Sequence, residues 1–154
     1  MMNGSEDLSP SAKVFYRLLE EYSPELLAVA EVMSPSQKTP LIQEPGSIVI
    51  VIPAPQGFIA NELYIESRRT DILVAIGQVT HHHFDWYREE DKEKSMRSAI
   101  QYVKDILSEK IVVVVKKSLF FKNGLVDDIR VDELRKKRRY LAIYSWKGTY
   151  NIST

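Results

Sequence analysis

The strongest periodic pattern in the chain lies at residues 88–109. Its apolar residues recur at the three- and four-residue spacing of one helix face: Met96, Ala99, Ile100, Val103, Ile106 and Leu107. Glu89, Glu90 and Asp91 fall in the first turn, where the helix dipole favours negative charge. We therefore predict one long amphipathic helix, which must bury that face against another element.

Strand-like segments precede this helix. They are rich in β-branched residues or alternate between apolar and polar residues, as strands of a half-buried sheet do. Residues 48–52 and 58–66 predict a hairpin around the turn at residues 53–57. Residues 72–79 are apolar at both parities, which is typical of an interior strand, and the histidines that follow are predicted to continue this strand.

Further strands are predicted after the helix. Residues 111–115 predict a buried strand that extends toward Phe121, and Asn123-Gly124 is typical of a type I′ turn from which a strand returns at Leu125. Residues 132–137 predict a short helical turn, and residues 140–146 predict the last strand. An exposed edge at residues 111–121 would let two copies of the chain pair as a homodimer.

Two Ser-Pro pairs mark helix starts in the first third of the chain. Ser9-Pro10 and Ser23-Pro24 each place a capping residue before a proline at the first helical position. The first helix has an apolar stripe made of Val14, Phe15, Leu18, Leu19 and Tyr22, and the second, over residues 25–33, is predicted to be largely buried. Residues 1–10 are predicted to be disordered, and residues 34–46, which contain three prolines, to form a surface connection.

These elements predict the fold class. Their order along the chain is α-α-β-β-β-α-β-β-β. The length of 154 residues and the hydrophobic content of 44% suit a single domain over residues 1–154. The simplest architecture is an α+β fold, with a mostly antiparallel sheet of five to six strands and helices packed on one face.

Composition excludes several classes of protein. Acidic and basic residues number 21 each, so the chain has no overall field that attracts nucleic acid or an anionic membrane. The absence of cysteine excludes a disulfide scaffold and a thiolate metal site. The polar start lacks a secretion signal, and no apolar run approaches the ~20 residues of a membrane span. We expect a cytoplasmic protein without a membrane segment.

All three histidines are consecutive, at His81, His82 and His83. On a strand, His81, His83 and Asp85 point to one face, whereas His82 and Phe84 point to the other. Two histidines with Cα atoms about 6.6 Å apart can share a metal ion, but Asp85 lies about 13 Å from His81 and joins them only through a bend. The preferred interpretation is structural: the run ends a strand, and Asp85 caps the helix that begins at Trp86.

Between these two interpretations lies a protein-binding role. Histidine, tyrosine and tryptophan at strand ends are typical of interface anchors. The residues predicted to contact a partner are His81, His83, Asp85, Trp86, Tyr144 and Trp146.

A basic run offers a nucleic-acid interpretation. It consists of Arg135, Lys136, Lys137, Arg138 and Arg139, and by strand parity Tyr140, Tyr144 and Trp146 share a face on which bases would stack. Acidic residues just upstream cancel much of this local charge: Asp127, Asp128, Asp132 and Glu133. A solvated turn before a strand is therefore favoured over nucleic-acid binding.

No catalytic or cofactor motif is present. The sequence contains no GxSxG elbow, GxGxxG or P-loop pattern, and no serine stands out as a nucleophile for a His83–Asp85 dyad. We predict no cofactor and favour a protein that is not an enzyme.

Two short segments resemble a known family. Residues 81–86, His-His-His-Phe-Asp-Trp, and residues 145–150, Ser-Trp-Lys-Gly-Thr-Tyr, are similar to a pattern in small bacterial immunity proteins of polymorphic toxin systems, over about the second half of the chain. The resemblance implies a non-catalytic cytoplasmic protein that neutralises a cognate toxin by binding it, commonly over the toxin's active site. It transfers no toxin-contacting residue, because such surfaces diverge with the toxin.

The leading hypothesis is therefore an immunity-like protein-binding domain whose partner is a protein toxin. The runner-up is a metal-binding protein or metal-dependent enzyme that uses His81, His83 and Asp85. A nucleic-acid-binding domain that uses the basic run is third.

Overall fold

The computed structural model describes residues 7–32, 45–134 and 139–153. These residues form three α-helices and nine strands, joined by turns and two short 3₁₀ turns. In chain order the elements are α1 (Pro10–Tyr22), α2 (Pro24–Leu27), β1 (Ala30–Val32), β2 (Ile48–Pro53), β3 (Glu62–Ser67), β4 (Asp71–Ile76), β5 (Thr80–Asp85), α3 (Lys92–Leu107), β6 (Ile111–Lys116), β7 (Leu125–Arg130), β8 (Tyr140–Tyr144) and β9 (Ile152–Ser153).

The strands form two antiparallel sheets. One sheet has the order β1-β2-β3-β4-β5, and the other has the order β7-β6-β8-β9. The apolar face of α3 packs with α1 against one face of the larger sheet, and the core continues to Ile111 and Val113 of the smaller sheet. The predicted α+β class, antiparallel pairing and helix-covered face are confirmed, with the strands divided between two sheets.

The histidine run belongs to a strand of its own. β4 is an interior strand, as predicted, but it ends at Ile76, and the chain reverses over residues 77–79 into β5. Gly77 makes the tight reversal with a φ of +49°, a conformation that disfavours other residues. The prediction that the histidines continue the same strand was wrong, because this short turn interrupts a continuous apolar pattern.

The N-terminal predictions hold only in part. The side chain of Ser9 caps α1 as predicted, and Leu8 is buried, so the predicted disorder does not extend over residues 7–10. The predicted helix over residues 25–33 was wrong, because α2 ends at Leu27 and β1 pairs with β2. Most of the predicted connection at residues 34–46 lies outside the described residues.

Gly46 fixes the start of β2 against the N-terminal segment. Its carbonyl accepts a hydrogen bond from the Ser9 N–H at 3.0 Å, and a Cβ added at Gly46 would lie 2.5 Å from the carbonyl oxygen of Asp7.

We expect Gly46→Ala to lower the free energy of unfolding by about 2 kcal/mol, because it adds a backbone clash to the strain of a φ of +78°. Chemical denaturation measures this loss. Gly57→Ala is the control, since Gly57 has a φ of +92° but no heavy atom within 4 Å of the added Cβ; an equal loss in both variants would contradict the clash.

The smaller sheet corrects three predictions. β6 lies between β7 and β8, so it is not the exposed edge on which the predicted homodimer rested. The turn before β7 is not type I′, because Asn123 does not have a positive φ. A 3₁₀ turn at Val131–Glu133 overlaps the start of the short helical turn predicted at residues 132–137, of which 135–137 lie outside the described residues. The last predicted strand ends at Tyr144 rather than Trp146.

Candidate functional site

β5 presents its side chains to two different environments, as its sequence predicted. His81, His83 and Asp85 are exposed on the face of the larger sheet that α1 and α3 do not cover. His82 and Phe84 are partly buried on the helix-covered side. The chemistry of the histidine run therefore divides between exposed side chains on one face of the sheet and an interior junction on the other.

On the exposed side of β5, one histidine lies close to two carboxylates. Asp71 of β4 is the direct cross-strand partner of Asp85, and His83 Nδ1 lies 2.5 Å from Asp71 Oδ2. One ligand atom from each of Asp71, His83 and Asp85 can be chosen so that all three lie within 4.8 Å of one another. The ring of His81 meets that of His83 edge-on at a centroid distance of 5.2 Å. This arrangement can orient an imidazole and bind a cation.

Asp71 is the member of this cluster that sequence reasoning missed. It became a neighbour of Asp85 only through the reversal at Gly77, whereas a strand continued to the histidines would have placed it far away. The available signal was the glycine between two β-type segments, which is typical of a turn. Among the described residues, no serine or threonine hydroxyl hydrogen-bonds to His83, whose hydrogen-bond partner is Asp71.

On the interior side, His82 links the two sheets. Its Nε2 lies 2.5 Å from Asp128 Oδ1 of β7, and the Tyr102 hydroxyl of α3 donates a hydrogen bond to Asp128 Oδ2 at 3.0 Å. Burial raises the pKa of Tyr102, and the neighbouring Asp128 carboxylate raises it further. Tyr102 therefore stays protonated as a donor, and the three residues form a structural junction between β5, α3 and β7.

The two tryptophans predicted to contact a partner are core residues. Trp86 is 6% exposed, with the Lys92 ammonium 5.9 Å from its ring centroid. Trp146 is buried against Phe58, with ring centroids 5.1 Å apart. Tyr144 is half-buried against the same core. Of the predicted partner-binding set, only His81, His83 and Asp85 remain exposed.

The Ser-Trp-Lys-Gly-Thr-Tyr segment is a loop held by one carboxylate. Glu109 accepts hydrogen bonds from the backbone N–H groups of Lys147, at 2.8 Å, and Thr149, at 3.2 Å. The N–H of Tyr150 donates to Ser145 Oγ at 3.0 Å, which closes the loop on itself. These contacts give the motif a structural role.

A β-bulge changes the predicted face of the last aromatic residues. The register between β6 and β8 shifts next to Leu141. Tyr140 therefore packs with Val112 and Val114 on one face of the smaller sheet, whereas Tyr144 packs against the main core. The predicted common stacking face was wrong, and residues 135–138 of the basic run lie outside the described residues.

The β6–β7 hairpin ends in an exposed apolar tip, which we define as Leu119, Phe120 and Phe121. These side chains are 99%, 91% and 59% exposed. Exposed lysines flank the tip at Lys117 and Lys122. Sequence reasoning missed this surface because it assigned the same apolar residues to the end of a buried strand.

Comparison with models of protein families, with curated proteins and with solved structures finds no match for this chain. The structure itself offers as candidate surfaces the apolar tip on the smaller sheet and the Asp71–His83–Asp85 cluster on the larger one. Within the described residues, no helix has both the length and the apolar content needed to cross a membrane.

Proposed function

We propose that this chain is a non-catalytic protein-binding domain that, like the immunity proteins it resembles, neutralises a cognate toxin by direct binding. The observation that carries this proposal is the apolar tip, where Leu119 and both phenylalanines are mostly exposed to water. Scattered apolar residues are ordinary on a protein surface, but three large neighbours at the end of a hairpin form a contiguous patch.

The energetics of the tip favour a partner with an apolar pocket. Burying a leucine or phenylalanine side chain contributes roughly 1.5–3 kcal/mol. The three side chains of the tip are mostly exposed, so a partner that covers them removes most of their surface from water. Aromatic anchors seated in a desolvated pocket commonly dominate the free energy of protein association.

The charges around the tip indicate which charge the rim of the partner's pocket carries. Lys116, at the end of β6, forms a 2.7 Å ion pair with Asp127 and is held within the sheet. Lys117 and Lys122 are exposed on the two sides of the tip. We infer an apolar pocket with an acidic rim on the toxin, because complementary charge steers association and excludes other partners.

The proposed function predicts that the neighbouring gene encodes a toxin-like domain, and coexpression with that domain tests it. We expect the wild-type chain to relieve the toxicity and to copurify with the toxin. Phe120→Asp should weaken the complex by at least about 30-fold, because it places a charge in the apolar pocket. Isothermal titration calorimetry measures the affinity.

The matched control is Tyr87→Ala, which removes an aromatic side chain that is 95% exposed outside the tip. Both variants should keep the wild-type free energy of unfolding within about 0.5 kcal/mol. Toxicity that the wild-type chain does not relieve, with no complex formed, would refute the proposed function. Sedimentation with anionic phospholipid vesicles that Phe120→Asp abolishes would instead identify the tip as a lipid-binding surface and overturn the assignment.

A further inference from the structure

The Asp71–His83–Asp85 cluster lies apart from the apolar tip and serves no purpose in the proposed function. It occupies the face of the larger sheet opposite α1 and α3, whereas the tip belongs to the smaller sheet. The cluster combines one imidazole with two carboxylates, which are ligand types that bind divalent metal ions.

The sheet holds these three residues in a fixed arrangement. Asp71 and Asp85 are directly paired across β4 and β5, and His83 is the next residue on the same face of β5. A hydrogen bond of 3.0 Å from the Trp86 N–H to the Thr70 carbonyl continues the pairing beyond the strand ends. Ligands on paired strands are positioned more precisely than ligands on loops.

The ligand atoms lie close enough together for side-chain rotation to bring them around a small cation. The chosen atoms lie within 4.8 Å of one another, whereas a tetrahedral site with bonds near 2.0–2.1 Å needs them about 3.3 Å apart. The side chains of His83 and Asp85 are exposed, so rotation about their side-chain bonds can close this difference. Asp71 is buried and already directs one oxygen at His83.

We propose that Asp71, His83 and Asp85 bind a divalent first-row transition-metal ion such as Zn²⁺, with water completing its coordination. Nitrogen from imidazole and oxygen from carboxylates suit ions of this class. This ligand set differs from the sequence-based one, because Asp71 replaces His81. His81 contacts the ring of His83 and supports it without binding the metal.

Calorimetric titration of ZnCl₂ into the full-length protein, freed of any affinity tag, tests the proposal. We expect one ion per chain to bind at micromolar concentration. Asp85→Asn and His83→Ala should each weaken binding by about 100-fold, because each removes a direct ligand. His82→Ala should bind Zn²⁺ like the wild type, since its side chain faces Asp128 on the opposite side of the sheet. Circular dichroism of each variant verifies its fold.

Replacement of Zn²⁺ by Co²⁺ gives a second readout, because the visible spectrum of Co²⁺ reports its coordination geometry. A wild-type protein that binds no metal at micromolar concentration would overturn the proposal. Loss of binding in His81→Ala and His83→Ala, with wild-type binding in Asp71→Asn and Asp85→Asn, would overturn it too. That pattern would identify a surface imidazole pair that holds an adventitious ion only.

Discussion

Trp86→Ala should lower the free energy of unfolding by about 3–5 kcal/mol, as expected for the truncation of a buried tryptophan. The Trp86 side chain is 6% exposed and packs in the main core between β5 and the start of α3. Alanine would leave a cavity at this position and remove the ring beneath the Lys92 ammonium. Urea denaturation followed by circular dichroism measures the change.

The adjacent residue provides the control for this prediction. Tyr87 is 95% exposed, and Tyr87→Ala should change the free energy of unfolding by no more than about 0.5 kcal/mol. The pair thus compares two neighbouring aromatic residues in opposite environments. Wild-type stability of Trp86→Ala, together with weaker binding to a partner, would contradict the core position and restore the partner-facing role predicted from the sequence.

The elements that sequence analysis predicted well are those specified by local periodicity. The apolar face of α3 follows from spacings of three and four residues, and the two environments of β5 follow from its alternation. The hairpin of β2 and β3 follows from two β-type segments around a turn. Each of these patterns lies within one segment or within two segments joined by a turn, so no knowledge of distant residues is needed to interpret it.

The candidate metal cluster depends instead on contacts between segments. Asp71 and Asp85 are 14 positions apart and meet only because the three-residue turn at Gly77 aligns their strands. A sequence can indicate that a turn exists, but a one-residue change in register would put the two carboxylates on opposite faces. The bulge next to Leu141 is such a local change, and it separates Tyr140 from Tyr144.

The loop at residues 145–150 shows the same dependence on distant residues. Its spacing led to a comparison with immunity proteins, but the carboxylate that holds it belongs to Glu109, 38 positions before Lys147. Nothing near the motif indicates this partner. The loop therefore supplies a structural reason for the motif, and the proposed toxin-binding surface depends on the apolar tip rather than on these residues.

Glu109→Ala should lower the free energy of unfolding by about 3 kcal/mol. The substitution removes the acceptor for the N–H groups of Lys147 and Thr149 and for the Thr149 hydroxyl. Hydrogen bonds to a charged group contribute about 1.5–3 kcal/mol each, but Lys147 and Thr149 are exposed and would recover part of this through water. Glu109 also has a φ of +61°, which glycine adopts without strain. Glu109→Gly should therefore be about 1–2 kcal/mol less destabilising than Glu109→Ala.

The pH dependence of this loss of stability separates the contribution of the Glu109 carboxylate from that of the backbone conformation at this residue. Burial raises the pKa of Glu109, but hydrogen bonds from Thr149, Ser145 and the backbone of Thr149 and Lys147 outweigh this effect and bring the pKa below its ordinary value of 4.5. A lowered folded-state pKa means that the ionised carboxylate stabilises the fold fully above that ordinary value and loses its effect as the pH falls through the folded-state pKa.

The difference in stability between the wild type and Glu109→Ala should therefore be constant near neutral pH and shrink in acid. The difference between Glu109→Ala and Glu109→Gly should not change with pH, because neither side chain titrates. Denaturation series between neutral and acidic pH measure both differences, and a wild-type advantage that stays constant in acid would show that the carboxylate does not hold the loop.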